Sequence, residues 1–301
     1  MKTKISEPEN KKRIILTAAA ILFFAAAAVC VFLLASKAFS DRADAPGDPG
    51  ARLSVMFFNA GRGDSALVSF PDGSRTLIDM GTFDDGARLR AYFDVYGVGY
   101  IDRLIITHPH SDHYGGGEEI LKSVRFGRAY LSPCESDEPA YRRVLEGLES
   151  TGCRTEYACA GNVISAGGAQ IVFLSPEGRF ENVNDMSVAV KIIYGGVSFL
   201  FTGDAESSAE LDMVKRFGDR LRADVLKLGH HGSATSSTEA FLDAVRPSVA
   251  VVSCEKNGTY GFPAPEIVKR LADRGVTLFA NHERDIGIEL GTDGEKLFIL
   301  N

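Results

Sequence analysis

Residues 107–116 read THPHSDHYGG and place three histidines and one aspartate within six residues. They follow Ile101–Thr107, a nearly continuous apolar run that predicts a strand covered on both faces. His108 and His110 are two residues apart, so both imidazoles can face the same side of the chain as it leaves this strand. Asp112 and His113 follow in a turn. Imidazole and carboxylate groups are ligands of zinc and manganese. Because the whole chain has only six histidines, this cluster predicts a metal centre.

Further candidate ligands follow two other predicted strands. His230 and His231 come after one of them, and Asp204 ends the other. A carboxylate at a strand end can bridge two metal ions, which lie about 3.5–4 Å apart in dinuclear enzymes. Asp204 could instead cap the helix predicted at residues 207–217, but the histidine cluster favours the metal role. His282 stands outside the pattern, and we interpret it as a loop residue.

Residues 52–301 alternate strand-like and helix-like patterns. Gly195-Gly196 predicts a hairpin between strands at residues 187–194 and 197–202. The spacing of apolar residues predicts helices, among them Gly86–Tyr96, Pro139–Thr151, Ser207–Phe217 and Thr238–Val245. Mixed strands and helices over this length indicate a layered α/β domain.

Composition sets further limits on function. The chain is 45% hydrophobic and 24% charged, which is typical of a globular protein. Its formal net charge of -7 gives no global attraction to nucleic acid. Cys134, Cys153, Cys159 and Cys254 show no zinc-ribbon spacing. Cys153 and Cys159 could form a disulfide across a short loop, and four unpaired thiols are the equally open alternative.

The N-terminal segment has the pattern of a membrane anchor. Three cations at residues 11–13 precede an uncharged, mainly apolar run at Ile14–Ser36. A helix needs roughly 20 apolar residues to cross the hydrocarbon core, and cations before such a run favour a cytoplasmic N-terminus. A secreted protein, cleaved near Ser36-Lys37-Ala38, is the alternative. We therefore predict four segments: a cytoplasmic segment at 1–13, a transmembrane signal anchor at 14–38, a linker at 39–51 and an extracytoplasmic domain at 52–301.

The HxHxDH run at residues 108–113 resembles the signature of the metallo-β-lactamase superfamily. Over roughly residues 52–300 the chain is most similar to the exported hydrolase domain of the ComEC competence-protein family. The matching blocks, in family order, are Asn59–Ser65, Leu77–Gly81, the HxHxDH run, Asn184–Ser187, Leu200–Asp204, Leu226–Ser233 and Asn257–Pro263. Because they belong to the hydrolase part of that family, we expect hydrolysis and not DNA import.

This resemblance implies a fold, a cofactor and a ligand set. The fold would be a four-layer αβ/βα sandwich with two divalent metal ions, zinc or manganese, at one edge between the sheets. The first ion would be held by His108 and His110, with Asp204 bridging. The second would be held by Asp112, His113 and one of His230 and His231; we favour His230 as the ligand.

The resemblance also assigns supporting roles. Asp79 would orient a ligand imidazole. Asn184 stands where many members have a further histidine. The chain departs from the competence-protein pattern at Asn59, Arg62 and Phe262, where the usual residues are Asp, Gln and His. These departures affect the expected substrate more than the metal ligands.

We therefore expect a membrane-tethered, metal-dependent phosphodiesterase or nuclease that acts on DNA or a cell-wall polymer. Asp112 could accept the proton of the attacking water, and His231 could protonate the leaving group. The alternatives are a lactam, lactone or thioester hydrolase and a non-catalytic, metal-stabilised binding module. A long basic groove would favour nucleic acid, whereas a closed pocket would favour a small ester. Arg62, Arg88 and Arg90 are the cations to locate.

Overall fold

The apolar run before the histidine cluster forms the strand Tyr100–Ile106, which lies inside an eight-stranded sheet. The strands of this first sheet are β1 (Leu53–Phe58), β2 (Ala66–Ser69), β3 (Arg75–Ile78), β4 (Tyr100–Ile106), β5 (Arg125–Leu131), β6 (Arg154–Tyr157), β14 (Gly287–Thr292) and β15 (Leu297–Ile299). Their order is β15-β14-β1-β2-β3-β4-β5-β6. Strands β3 to β6 are parallel, and the remaining pairs are antiparallel.

A second sheet has seven strands. They are β7 (Val163–Ala166), β8 (Ala169–Ser175), β9 (Ala189–Tyr194), β10 (Val197–Phe201), β11 (Val225–Lys227), β12 (Val249–Val252) and β13 (Thr277–Ala280). Their order is β13-β12-β11-β10-β9-β8-β7, and β10 to β13 are parallel. The glycine pair predicted to form a hairpin joins β9 to β10, which are antiparallel.

The helices lie outside this pair of sheets. They are α1 (Gly86–Val95), α2 (Ser111–Tyr114), α3 (Gly117–Ile120), α4 (Pro139–Ser150), α5 (Ser207–Phe217), α6 (Glu239–Val245) and α7 (Pro265–Asp273). Short 3-10 turns occur at Asn184–Met186, Gly218–Leu221, Gly229–Gly232 and Asn281–Glu283. The structure, a computed structural model, describes residues 52–256, 258 and 260–301.

Three apolar clusters hold the layers together. The first contains residues of both sheets and includes Phe57 of β1 and Phe201 of β10, whose rings stack at 5.6 Å between centroids. The second joins the outer face of the first sheet to α1 and α4, and the third joins the outer face of the second sheet to α5, α6 and α7. Each sheet thus buries both faces, which explains the near-continuous apolar runs of its central strands. The predicted two-sheet α/β fold is confirmed for the described residues.

The strand directions gather polar residues at one edge. β1, β3 and β4 run in the same direction in the first sheet, as do β10, β11 and β12 in the second. The segments that follow their carboxyl ends include all of the histidines and carboxylates of the predicted site. In open α/β sheets this edge is where ligands bind.

Glycines let the loops of this edge approach one another closely. A Cβ on Gly116 would overlap the carbonyl oxygen of Met80, and a Cβ on Gly63 would lie 2.7 Å from the carbonyl oxygen of Asp112. Both distances are shorter than real side chains allow. Gly63, in the loop after β1, and Gly116, after the histidine cluster, are therefore required by packing.

Most of the predicted elements occur within one to three residues of their expected bounds, but three strands were missed. These are β6, β7 and β13, and each lies at the end of a sheet. All four residues of β6 are exposed, and β7 and β13 are only partly buried. An edge strand buries little side-chain surface, so its sequence shows weak apolar periodicity.

The predicted segments 1–13, 14–38 and 39–51 lie outside the described residues. Among the helices that are described, none is long and apolar enough to span a membrane. The four cysteines from Cys134 onward are free thiols.

Candidate metal centre

The strand ends bring five separate parts of the chain together. Asp64 follows β1, Asp79 follows β3, and His108 follows β4. From the second sheet, Asp204 follows β10 and His231 follows β11. All five side chains are buried, with exposed fractions of 5% or less. These five residues are far apart in the sequence and meet at the edge where the carboxyl ends of the strands lie. The sheet topology, and not the local sequence, therefore brings them together.

Asp79 orients His113. Its Oδ2 lies 2.8 Å from His113 Nδ1, and its Oδ1 accepts a hydrogen bond of 2.8 Å from the backbone N–H of Thr107. The other ring nitrogen, His113 Nε2, then faces Asp204 Oδ1 at 3.3 Å. An imidazole held this way by a carboxylate presents a fixed nitrogen to a metal ion. The contact between Asp79 and His113 is the one that a carboxylate must make to orient a ligand imidazole.

His108 and His110 form one side of the cluster. His108 Nε2 lies 2.9 Å from His110 Nδ1 and 3.8 Å from Asp204 Oδ2. The other His108 nitrogen, Nδ1, contacts the Thr107 and Ser187 hydroxyls at 3.2 and 3.3 Å. His108 is fully buried, whereas His110 is exposed at the surface of the cluster. The ligand atoms of His108, His113 and Asp204 lie within 4.8 Å of one another, whereas His110 joins this group only through its contact with His108. We call His108, His110 and Asp204, the ligand set expected from the resemblance, the first position.

Asp112, His113 and His231 form the other side. His231 Nε2 lies 3.3 Å from Asp112 Oδ2 and 3.6 Å from Asp204 Oδ2. Its Nδ1 lies 3.2 Å from the carbonyl oxygen of Ser253 and 3.5 Å from Asp64 Oδ1, so Nε2 is the nitrogen that faces Asp112 and Asp204. Nitrogen and oxygen atoms of these three residues lie within 4.8 Å of one another. With Asp204 they make up the second position.

We favoured His230 over His231 as the ligand of the second position, and of the two it is His231 whose ligand atoms lie within 4.8 Å of those of other candidate ligands. His231 is buried among the carboxylates, whereas the His230 side chain is 25% exposed and its Nε2 reaches Asp204 Oδ2 only at 4.0 Å. His230 Nδ1 lies 3.2 Å from the Thr235 hydroxyl and 3.3 Å from Glu206 Oε1. Both histidines have positive φ, 47° and 55°, a local conformation that spacing alone does not predict. His231 therefore fits the ligand role and His230 the role that faces the substrate.

Asn184 contacts the cluster indirectly. Its amide nitrogen donates a hydrogen bond of 2.8 Å to Glu206 Oε1, the oxygen that also faces His230 Nδ1. The neighbouring Asp185 accepts hydrogen bonds from the backbone N–H groups of Glu206 and Ala209 at the start of α5. Asn184 thus helps to position His230.

Several buried atoms of the cluster make no hydrogen bond among the described residues, although each faces a carboxylate or imidazole atom at 3.3–3.5 Å. They are Asp64 Oδ1, His113 Nε2, Asp204 Oδ1 and His231 Nε2. A buried polar atom without a partner costs about 1–3 kcal/mol, so such a concentration needs an explanation. Nitrogen and carboxylate oxygen atoms that converge in this way fit divalent cations. The residues present therefore fit the metal ions that the resemblance implies.

Charge balance in the cluster couples its histidines to its carboxylates. Burial alone would lower the pKa of His113, but Asp204 and Asp79 outweigh it and raise that pKa well above its usual value. Burial also opposes charge on His231, yet Asp204 and Asp64 raise its pKa to about 10. Burial lowers the pKa of His108 well below its usual value. The carboxylates thus hold protons on two imidazoles, and those protons must leave when a metal ion binds there.

A buried ion pair beside the cluster was missed by the sequence analysis. Lys227 Nζ lies 2.8 Å from Asp64 Oδ2, and both side chains are buried. Lys227 belongs to β11 and Asp64 follows β1, so the pair joins the two sheets. Asp64 Oδ1 also lies 3.5 Å from His231 Nδ1. The one available signal was a lysine inside the otherwise apolar strand β11.

A cavity of about 490 Å³ opens beside the second position. Its lining includes Asp112, His230, His231 and Arg62. Arg62 is thus placed at the site, but the other two arginines are not. Arg88 pairs with Asp85 at 2.6 Å and Arg90 with Glu119 at 3.3 Å. The described residues thus line a pocket of limited volume with one arginine.

Two facing sheets with a histidine and aspartate cluster at their strand ends define a metallo-β-lactamase fold. The profile of the metallo-beta-lactamase superfamily matches residues 59–132 and 183–255, and this chain belongs to that superfamily. These ranges contain every ligand candidate described above. Members of this superfamily are generally metal-dependent hydrolases.

Curated relatives include competence proteins, as the resemblance predicted. ComE operon protein 3 of Bacillus subtilis (strain 168) is 31% identical over 72% of this chain and 30% of its own length. Competence protein ComA of Neisseria gonorrhoeae is 31% identical over 76% of this chain and 31% of its own. The chain thus spans under a third of the length of either relative. The metallo-beta-lactamase fold protein YhfI of Bacillus subtilis has a similar fold, with a TM-score of 0.53, 14% identity, and coverage of 79% of this chain and 98% of YhfI.

The Asp64–Lys227 pair generates a stability prediction. Replacing Lys227 with Met leaves the Asp64 carboxylate buried without its cation, and we expect unfolding free energy to fall by about 3–5 kcal/mol. Urea denaturation of the metal-free chain measures this. Lys269→Met, which removes an exposed pair with Asp273, should change stability little. Equal effects of the two substitutions would contradict a structural role for the buried pair.

Proposed function

We propose that this chain is a phosphodiesterase that uses two divalent metal ions, zinc or manganese. The observation that carries the proposal is the position of Asp204. Its Oδ2 lies 3.8 Å from His108 Nε2 and 3.6 Å from His231 Nε2, and its Oδ1 lies 3.3 Å from His113 Nε2. A carboxylate with imidazoles facing both of its oxygens can be shared by a pair of cations.

His108, His110 and Asp204 would hold one ion, and Asp112, His113, His231 and Asp204 the other. Bound divalent cations supply a lowered pKa for a coordinated water and electrostatic stabilisation of the charge that develops on phosphate oxygens. In the hydrolysis, the water oxygen forms a bond to phosphorus as the ester oxygen leaves.

The chain's own residues would orient the ligands and move protons. Asp79 holds His113, and the Ser253 carbonyl holds His231, so neither ring can turn away from the cluster. His230 lines the cavity, is partly exposed and has its Nδ1 engaged by Thr235. We assign to His230 Nε2 the proton that the departing ester oxygen takes up, the role we first expected of His231. Asp112 would bind the metal through one carboxylate oxygen. The other oxygen, if it binds no metal, would accept the proton of the attacking water.

The substrate assignment rests on the relatives and on the cavity. The curated relatives that match about three quarters of this chain include competence protein ComA, and a phosphodiester in DNA is the substrate this favours. A phosphodiester in a cell-wall polymer is the second candidate. A cavity of about 490 Å³ fits a small part of such a polymer. No observation on the described residues favours a lactam, lactone or thioester, or a binding module without catalysis.

We further propose that residues 14–38 anchor the chain in a membrane, with the hydrolase domain from residue 52 on the extracytoplasmic side. The support is the sequence itself: an uncharged apolar run preceded by three cations. Cleavage near Ser36-Lys37-Ala38 would give a secreted enzyme with the same domain.

Replacing Asp204 with Asn should abolish hydrolysis because it removes the carboxylate shared by both positions. Substitution of a residue that supports a metal ligand lowers activity by up to about a hundredfold. For a shared ligand we expect at least that loss in the cleavage of bis(p-nitrophenyl) phosphate by the zinc- or manganese-loaded chain. Bound metal per chain, measured by elemental analysis, should fall as well. Asp219→Asn, an exposed aspartate paired with Arg246, is the control. Full activity of Asp204→Asn would sink the proposal.

Substitutions of the two adjacent histidines should have different effects on substrates with different leaving groups. His231→Gln should lose metal and activity on every diester. His230→Gln should retain metal and cleave p-nitrophenyl diesters, whose leaving group needs no proton, but lose activity on a dinucleotide, whose alkoxide does. Steady-state rates on both substrates, with metal content, measure this. Loss of metal in His230→Gln with retention in His231→Gln would reverse the assignment.

A further inference from the structure

One wall of the cavity is aromatic. The rings of Tyr260 and Phe262 lie nearly parallel, with an angle of 18° between planes and 5.7 Å between centroids. Phe262 in turn lies against His230, at 6.1 Å between ring centroids. The aromatic pair therefore begins beside the metal centre and extends outward from it.

The side chain of Tyr260 is largely exposed to solvent. Its exposed fraction is 68%, although it lines the cavity. An aromatic ring buries 150–250 Å² when it is covered, which is a large gain in free energy. An exposed ring at the mouth of a site, parallel to a second ring, offers a flat surface to a planar ligand.

The cavity also contains one arginine. Arg62, in the loop after β1, is the only lysine or arginine among the described residues that line it. The remaining charges of the lining are the carboxylates of Asp112 and Glu255. Arg62 is exposed, and it has the fork of N–H donors that suits phosphate oxygens.

The dimensions select among ligands. Pockets for small ligands range from about 300 to 1,000 Å³, and this one, at about 490 Å³, is near the lower end. It can accept one nucleotide or a strand end, but a double helix, whose major groove alone is about 12 Å wide, cannot enter it. A planar surface, a cation and this volume are together the requirements of a nucleotide.

We propose that Tyr260 and Phe262 form a stacking surface for the base of a nucleotide, while Arg62 contacts a phosphate of the same ligand. As a substrate site, this rests on the proposed phosphodiesterase function. Phe262 and Arg62 are two of the three positions at which the sequence departs from the competence-protein pattern, and both line this cavity. The substrate proposed from this cavity is a phosphodiester with a neighbouring base, either at the end of a single strand or in a free dinucleotide.

Binding without turnover tests the surface directly. Isothermal titration of the purified chain, with and without zinc, would use thymidine 5′-monophosphate and, as the ligand without a base, deoxyribose 5-phosphate. We expect the nucleotide to bind more tightly. Stacking on an aromatic side chain contributes about 1–3 kcal/mol per base, so Tyr260→Ala should weaken nucleotide binding by roughly 5- to 150-fold and leave the sugar phosphate unchanged.

A matched control is Tyr157→Ala, since Tyr157 is 69% exposed on the edge strand β6 and does not line the cavity. It should leave both affinities unchanged. Equal affinity for the two ligands, or equal effects of Tyr260→Ala on both, would overturn the proposal. Arg62→Gln should weaken both ligands, and Arg62→Lys should restore part of that loss.

Turnover then separates the two sources of the nucleotide and the two proposals. Higher kcat/KM on single-stranded oligo(dT) than on thymidylyl-thymidine identifies a strand end as the substrate, and the reverse order identifies the free dinucleotide. A faster rate on double-stranded DNA than on either would contradict the pocket. If no diester is cleaved but the titration shows base-dependent binding that Tyr260→Ala removes, the phosphodiesterase function fails and the stacking surface stands.

Discussion

Burial of carboxylates at the strand ends is the constraint on which the rest of this structure depends. Asp64, Asp79 and Asp204 are each at most 5% exposed, and burial of three carboxylates is costly unless cations or hydrogen bonds compensate. Asp64 is compensated by Lys227, and Asp79 by His113 and the Thr107 N–H and hydroxyl. Among the described residues, the nearest groups that face the Asp204 carboxylate are imidazoles, at 3.3 Å or more. Asp204 raises the pKa of His113 and of His231, so that protons on these rings balance its charge until a metal ion replaces them.

The fold supplies this environment because two sheets meet face to face. Strands that run in one direction in each sheet place their carboxyl ends at a common edge. The segment that follows each of these strands contributes a side chain to the cluster. The apolar core between the sheets, with Phe57 stacked on Phe201, fixes the distance between the two halves of the cluster. The Asp64–Lys227 pair adds a polar link across the same gap. The contacts that stabilise the two packed sheets therefore also hold the two halves of the cluster at a fixed distance.

Much of this could be predicted from local sequence. The spacing of His108, His110, Asp112 and His113 after a buried strand indicated the metal cluster, and Asp204 stood at the expected strand end. Helices with a clear apolar stripe, such as α5, occur where their periodicity placed them. The edge strands β6, β7 and β13 escaped notice because exposed strands carry little apolar pattern.

What sequence could not supply depends on contacts between distant segments. His230 and His231 are placed by two successive left-handed backbone conformations, which no spacing rule encodes. The pairing of Lys227 with Asp64 spans 163 residues. The meeting of Arg62 with Tyr260 and Phe262 in one cavity likewise requires the folded chain.

We propose that the histidine and aspartate cluster binds two divalent cations that share Asp204. Anomalous diffraction at the zinc and manganese absorption edges, from crystals of the metal-loaded protein, would locate these ions. We expect two peaks inside the cluster, one against His108 and His110 and one against Asp112, His113 and His231, with the Asp204 carboxylate between them. A loaded protein with no peak in the cluster, or with its metal bound only at other residues such as His282, would contradict it.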